Sequence, residues 1–175
     1  GLGKTRLSLQ IAADMMDAYP DGVWFLDLAP IRDPSLVPNE AGQVLCVREE
    51  PGKPLTQTLC AHLKSRKALL IFDNCEQVVS ACATLANALL RAAPDTRIIA
   101  STREALRVPG EQVYPVLPLA LPDPAASVET LSQSEAVQLF MARAQLQKPG
   151  FALTQREAPA VAELFSHVRR NYFRL

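Results

Sequence analysis

The stretch Ala68 to Asp73, ALLIFD, constrains the fold more than any other part of the sequence. It is an unbroken apolar run that closes on an acid. A strand with one wet face alternates apolar and polar residues. An unbroken run is buried on both faces, which marks a parallel sheet covered by helices. Thr96 to Thr102, TRIIAST, reads as another buried strand, and Val23 to Ala29, VWFLDLA, as a short strand rich in β-formers. QVYPVLPL is a further extended run, broken by prolines.

Helical periodicity fills the intervals. From Lys4, Leu7, Ile11, Met15 and Ala18 make one stripe and Leu9, Ala12, Ala13 and Met16 a second. Two stripes predict a helix buried over a wide arc against a sheet. YPDG, at Tyr19 to Gly22, stops it. Leu36 to Val47 and Leu55 to Arg66 are helix candidates. Val78, Cys82, Leu85 and Leu89 step at helical spacing up to Pro94. Strand and helix thus alternate to about residue 118, the pattern of a layered α/β domain.

Composition changes at YPVLPLALPDP, from Tyr114 to Pro124, and only helical patterns follow. Ser132 to Glu135, SQSE, predicts a capping box. Val137, Phe140, Met141 and Ala144 form a stripe after it, and Val161, Leu164, Phe165 and Val168 another. The expected division is residues 1–122 and 123–175.

With 175 residues, 49% of them apolar, the chain can bury a sizeable core. Lysine plus arginine equal aspartate plus glutamate at 18 each, so charge makes no case for nucleic acid or a membrane surface as partner. Cys46, Cys60, Cys75 and Cys82 form no zinc pattern with the two histidines. Cys82 lies on an apolar stripe, where a buried free thiol is the default. Together these suit a reducing, cytosolic compartment. His62 and His167 have no paired acid or cysteine pattern, and Trp24 sits in an apolar strand as a core residue.

The chain opens with GLGKT. A phosphate-binding loop reads G-x-x-x-x-G-K-[ST], between a strand and a helix. Its N–H groups and the helix N-terminus face phosphates, its lysine reaches the β- and γ-phosphates, and its hydroxyl binds Mg²⁺. Gly3, Lys4 and Thr5 fit the last three places, with Gly1 inside the loop. Three residues alone also suit a glycine turn that caps a helix. Two further features match. Asp73 ends a buried strand, where a metal-anchoring acid belongs, although Asp73 or Asn74 would also serve as helix N-cap. Arg103, in ASTRE, follows the next strand at the edge where open α/β sheets bind ligands, although pairing with Glu104 or Asp95 would explain it equally.

GLGKTRLSLQIA, VWFLDLAPIRDPSLV, LLIFDNCEQV, RIIASTREALRVPGEQVYPVLPL and SEAVQLFMARA together resemble the NB-ARC-like ATPase module of bacterial transcriptional regulators, within the signal-transduction (STAND) class of P-loop ATPases. The resemblance covers about residues 1–165. It implies a P-loop NTPase fold, a three-layer parallel sheet followed by part of a helical subdomain. It also implies an ATP/ADP switch with Mg²⁺, in a cytoplasmic regulator whose other domains include the DNA-binding one. Gly1, Gly3, Lys4, Thr5, Arg6, Asp73 and Arg103 would hold nucleotide, with Thr5 and Asp73 at the metal and Arg103 sensing the γ-phosphate. Lys4, Glu76 and Arg103 would serve catalysis. ADP would hold a closed form, and ATP an open, often oligomeric one. Relatives often carry a second acid after the metal-anchoring aspartate. Asn74 stands there and cannot act as a base, which leaves Glu76 as the nearest one and at most a weak ATPase. A P-loop enzyme with steady turnover, a kinase or motor-type ATPase, and an inert fragment of such a domain are the alternatives.

Two departures qualify the resemblance. The first loop glycine and the strand before it would precede Gly1, so the first strand of the sheet is expected to be missing, and the chain alone to be poorly stable or to close the gap with altered pairing. At the other end, VAELFSHVRRNYFRL replaces the expected GLPLA-like motif, which leaves the adenine side of the site incomplete. Arg169, Arg170 and Arg174 there suit a solvated helix terminus.

Overall fold

The computed structural model describes residues 3–123 and 127–172, with side chains as far as His167. Two compact units are present, one reaching Pro115 and the other starting at Val116. Gly1 lies outside the described residues, as does Arg174, while the side chains of Val168, Arg169 and Arg170 are not described.

The first unit is α/β. Strands β1 (Val23–Asp27), β2 (Leu69–Asp73) and β3 (Arg97–Ala100) form one sheet in that order. Both pairings are parallel, with Trp24 beside Leu70 and Leu70 beside Ile98. Helices α1 (Lys4–Asp14), α2 (Val37–Val44), α3 (Leu55–Leu63) and α4 (Val79–Ala92) alternate with the strands. A 3₁₀ turn, Pro34–Leu36, leads into α2, and its Asp33 cap accepts a bond from the Ser35 N–H.

Strand β2 is buried along its whole length, as its unbroken apolar run requires. Alternation sends Leu70 and Phe72 into the main core with Leu26, Leu59, Leu63, Leu85 and Leu89, all from β1 or from α3 and α4. Leu69, Ile71 and Asp73 therefore face the other way, and α1 lies against β2. Asp73, the last residue of β2, is thus aimed at the start of α1.

The expectation of a second buried strand does not hold for β3. Arg97 is exposed and Ile98, Ile99 and Ala100 are half-buried, because among the described residues β3 stands at one edge of the sheet, paired with β2. The wide-arc burial expected of α1 also fails. Ser8 is its buried residue, while Leu7 and Leu9 are exposed, since among the described residues α1 packs chiefly on β2. The run QVYPVLPL forms no strand, and Val113, Tyr114 and Leu117 are exposed. Pro115 and Pro118 lack the N–H groups that a ladder needs.

The second unit is helical among its described residues: α5 (Val128–Gln133), α6 (Glu135–Gln147) and α7 (Ala158–Tyr172). Val137 packs with Val161 and Phe165, and Phe140 meets Phe151 and Phe165 edge to face. Leu164, assigned to the same stripe, is exposed. The capping box at Ser132 to Glu135 is not formed. Ser127 caps α5 by accepting the Thr130 N–H, so α5 runs through Ser132 and Gln133. The chain breaks at Ser134, whose hydroxyl donates to the Ala120 carbonyl.

Candidate functional site

The C-terminal ends of β2 and β3 meet the N-terminus of α1. Gly3 precedes the helix with φ 76°, in the left-handed region. No atom lies within 4 Å of where a Cβ would stand, so the backbone turn and not crowding calls for glycine here. The Gly3 carbonyl accepts the Leu7 N–H and opens the helix. The N–H groups of the first turn have no partner within a helix, and Lys4, Thr5 and Arg6 occupy that turn.

Thr5 and Asp73, 68 positions apart, are in contact: the Thr5 hydroxyl donates to Asp73 Oδ2 at 2.6 Å. Asp73 Oδ1 accepts the Ser101 hydroxyl at 2.5 Å. Ser101 Oγ in turn accepts the Asn74 N–H at 2.9 Å. Asp73 is 3% exposed, and these two hydroxyls give each of its buried oxygens a hydrogen-bond partner.

After Asp73 the chain turns sharply. Asn74 has φ 61°, a conformation that asparagine tolerates better than most residues. It precedes a 3₁₀ turn, Cys75–Gln77, but its side chain makes no cap bond. The Cys75 N–H donates to the Ser101 carbonyl at 3.0 Å, which fastens the turn to β3. The Cys75 thiol is buried beneath it. A hydrogen bond with Cys82, then burial, then the charges of Cys82, Asp73 and Glu76 push it well above the ordinary thiol range. It stays protonated and fills the space as an apolar group would.

The turn presents Glu76 to α1. Lys4 Nζ lies 2.8 Å from Glu76 Oε1 and also donates to the Thr102 carbonyl at 3.3 Å. Arg103 Nε lies 3.6 Å from the same Glu76 oxygen, but its side chain is 86% exposed, so that pair is weak. Neither Glu104 nor Asp95 takes Arg103 in an ion pair among the described residues. Arg6 is exposed on the first turn of α1.

Gly3, Lys4, Thr5, Asp73, Glu76 and Arg103 are thus brought to one edge of the sheet. Sequence reasoning missed Ser101 and the Thr102 carbonyl. A serine directly after an apolar strand was the available signal for the first, and a backbone acceptor leaves none. It also missed Asp27, the register neighbour of Asp73 on β1, whose Oδ1 accepts the Ala29 N–H.

The other residues weighed above lie elsewhere. Trp24 packs on the main core and donates to the Asp21 carbonyl. His62 Nε2 is buried and has no hydrogen-bond partner among the described residues. All four cysteines are free. Among the described residues there is no group of three or more His, Cys, Asp or Glu side chains placed to hold a metal ion. Among them, too, no helix is long and apolar enough to cross a membrane.

The fold and this edge define a parallel α/β unit with a lysine–hydroxyl–carboxylate cluster at the strand ends. Over 164 residues, 94% of its length, the chain is 35% identical to proteins of Mycobacterium tuberculosis H37Rv and Mycobacterium bovis named, provisionally, as HTH-type transcriptional regulators. It is 32% identical over 164 residues to an uncharacterised protein of M. tuberculosis H37Rv. The match spans 17% of the length of the regulators and 39% of the second protein. No family model matches the chain. No solved structure matches it.

Proposed function

We propose that this chain is the nucleotide-binding part of a P-loop ATPase switch of the NB-ARC-like signalling class, within a cytoplasmic regulator of transcription. The Thr5–Asp73 contact carries the reading. The residue after a glycine–lysine pair at a helix start touches an acid at the end of a buried parallel strand. Lys4 stands beside them. The Thr5 hydroxyl and the Asp73 carboxylate, 2.6 Å apart, are both hard oxygen ligands.

That donor set fits Mg²⁺, which takes one or two protein oxygens and completes its shell with water and phosphate. Thr5 and Asp73 would hold the ion, which would neutralise phosphate charge when bound. The first-turn N–H groups after Gly3, with Lys4, Arg6 and Arg103, suit the phosphates of ATP or ADP. Gly1 belongs to the same loop by sequence.

Hydrolysis would be slow. Asn74 follows Asp73 and cannot accept a proton, and the Glu76 carboxylate is engaged by Lys4. Glu76 would serve as general base only after Lys4 released it. Slow turnover suits a switch, in which nucleotide state governs contacts with the regulator's other domains and an ATP-favoured oligomer. The regulators' names support the transcriptional role.

Titration of the chain with fluorescent ADP and ATP in Mg²⁺, beside Lys4→Ala, tests the reading. Saturable binding that Lys4→Ala abolishes is expected. Absence of binding, or equal binding by Lys4→Ala, overturns it.

A further inference from the structure

Two cationic side chains of the site, Lys4 and Arg103, converge on one oxygen of one carboxylate. Glu76 Oε1 lies 2.8 Å from Lys4 Nζ and 3.6 Å from Arg103 Nε. Glu76 is not a loose surface acid. Its side chain is 16% exposed, and its turn is fixed on both sides. The Cys75 N–H is bound to Ser101 at 3.0 Å and the Val78 N–H to Cys75 at 2.9 Å, while Cys75 is fully buried. The fold therefore builds an anion into the place where two cations point.

We propose that the Glu76 carboxylate stands in for a terminal phosphate, which makes Glu76 the residue that sets the site's preference for a nucleoside diphosphate over a triphosphate. This rests on the nucleotide reading above. A diphosphate bound at the first turn of α1 would share Lys4 with Glu76. A third phosphate has to displace Glu76 from Lys4 and Arg103, or lie against it as a like charge. Repulsion between like charges a few ångströms apart in a half-buried site is large enough to shift affinity by on the order of tenfold or more. Glu76 would thus act on ligand choice through charge alone.

The test compares Mg-ADP and Mg-ATP affinities of the chain with those of Glu76→Gln, which keeps the side chain's size and removes its charge. The unaltered chain is expected to favour ADP. Glu76→Gln is expected to gain on the order of tenfold in ATP affinity with a much smaller change for ADP. An unchanged ATP-to-ADP ratio in a folded Glu76→Gln overturns the inference and leaves the nucleotide reading intact. Failure of the unaltered chain to bind either nucleotide overturns both.

A second measurement needs no variant. Inorganic pyrophosphate should displace fluorescent ADP from the unaltered chain at lower concentration than tripolyphosphate does, although it carries less charge. The reverse order overturns the inference.

Discussion

Ser101 donates its hydroxyl to Asp73 Oδ1 at 2.5 Å while accepting the Asn74 N–H at 2.9 Å. One side chain at the end of β3 thus orients the carboxylate at the end of β2 and closes the turn after it. Both strands are aligned for this by their ladder, in which the Ser101 N–H also donates to the Phe72 carbonyl.

Ser101→Ala would leave a buried carboxylate oxygen and a backbone N–H without their partner. Each such loss costs about 1–3 kcal/mol. The variant should melt several degrees lower and bind nucleotide more weakly than the unaltered chain. Thermal denaturation followed by circular dichroism checks the first effect, and an unshifted midpoint would contradict this account of Ser101.

Thr5→Val keeps the shape of the side chain and removes the hydroxyl that meets Asp73. Lost stability should be small, about 1 kcal/mol, because Thr5 is solvent-accessible and the contact only part-buried. The larger effect falls on the metal. Nucleotide affinity measured with Mg²⁺ and with a chelator should differ in the unaltered chain and converge in Thr5→Val. An undiminished response to Mg²⁺ would remove Thr5 from the ion's shell.

His62 predicts a pH effect on stability. Burial, then the Arg66 guanidinium, lower its pKa in the folded state below the ordinary 6.5. The unfolded chain therefore binds the proton more readily. The neutral-histidine contribution is fully present above about pH 6.5 and is lost as pH falls towards the lower folded value. Melting at about pH 7.5 and about pH 5.5 should show a drop that His62→Gln reduces. Equal drops in both proteins would place the effect elsewhere.

Among the described residues no strand pairs with the outer edge of β3, and Ile98 and Ile99 are half-covered. Unpaired edges invite association and forgo ladder bonds. The chain alone should therefore melt below the usual mesophilic range, under about 45 °C, and scatter more light as concentration rises. Cooperative melting above about 60 °C, with no association, would show that the edge costs little.

Much of the first unit is legible in local sequence. ALLIFD reads as a doubly covered strand because burial on two faces leaves no polar alternation to find, and β2 is covered along its length. The helix from Val79 follows from apolar residues at helical spacing, with Cys82, Leu85 and Leu89 buried. Asp73, Lys4 and Thr5 stand out because their residue types and places at element ends are local properties. What the sequence by itself determined was therefore the strands and helices of the first unit up to β3, and which chemical groups end them.

Only the tertiary structure decided which surfaces meet. The exposure of Leu9 follows from α1 packing chiefly on β2, and no window of sequence holds the covering partner. The half-exposure of Ile99 follows from the position of β3 in the sheet. Ser132 lies inside α5, and the following helix starts after Ser134, whose hydroxyl reaches the Ala120 carbonyl. Glu76 joins Lys4 across 72 positions because the turn after β2 and the start of α1 come to the same sheet edge. Hydrogen bonds and ion pairs act over a few ångströms, so partners this far apart along the chain become visible only once the sheet has set them side by side.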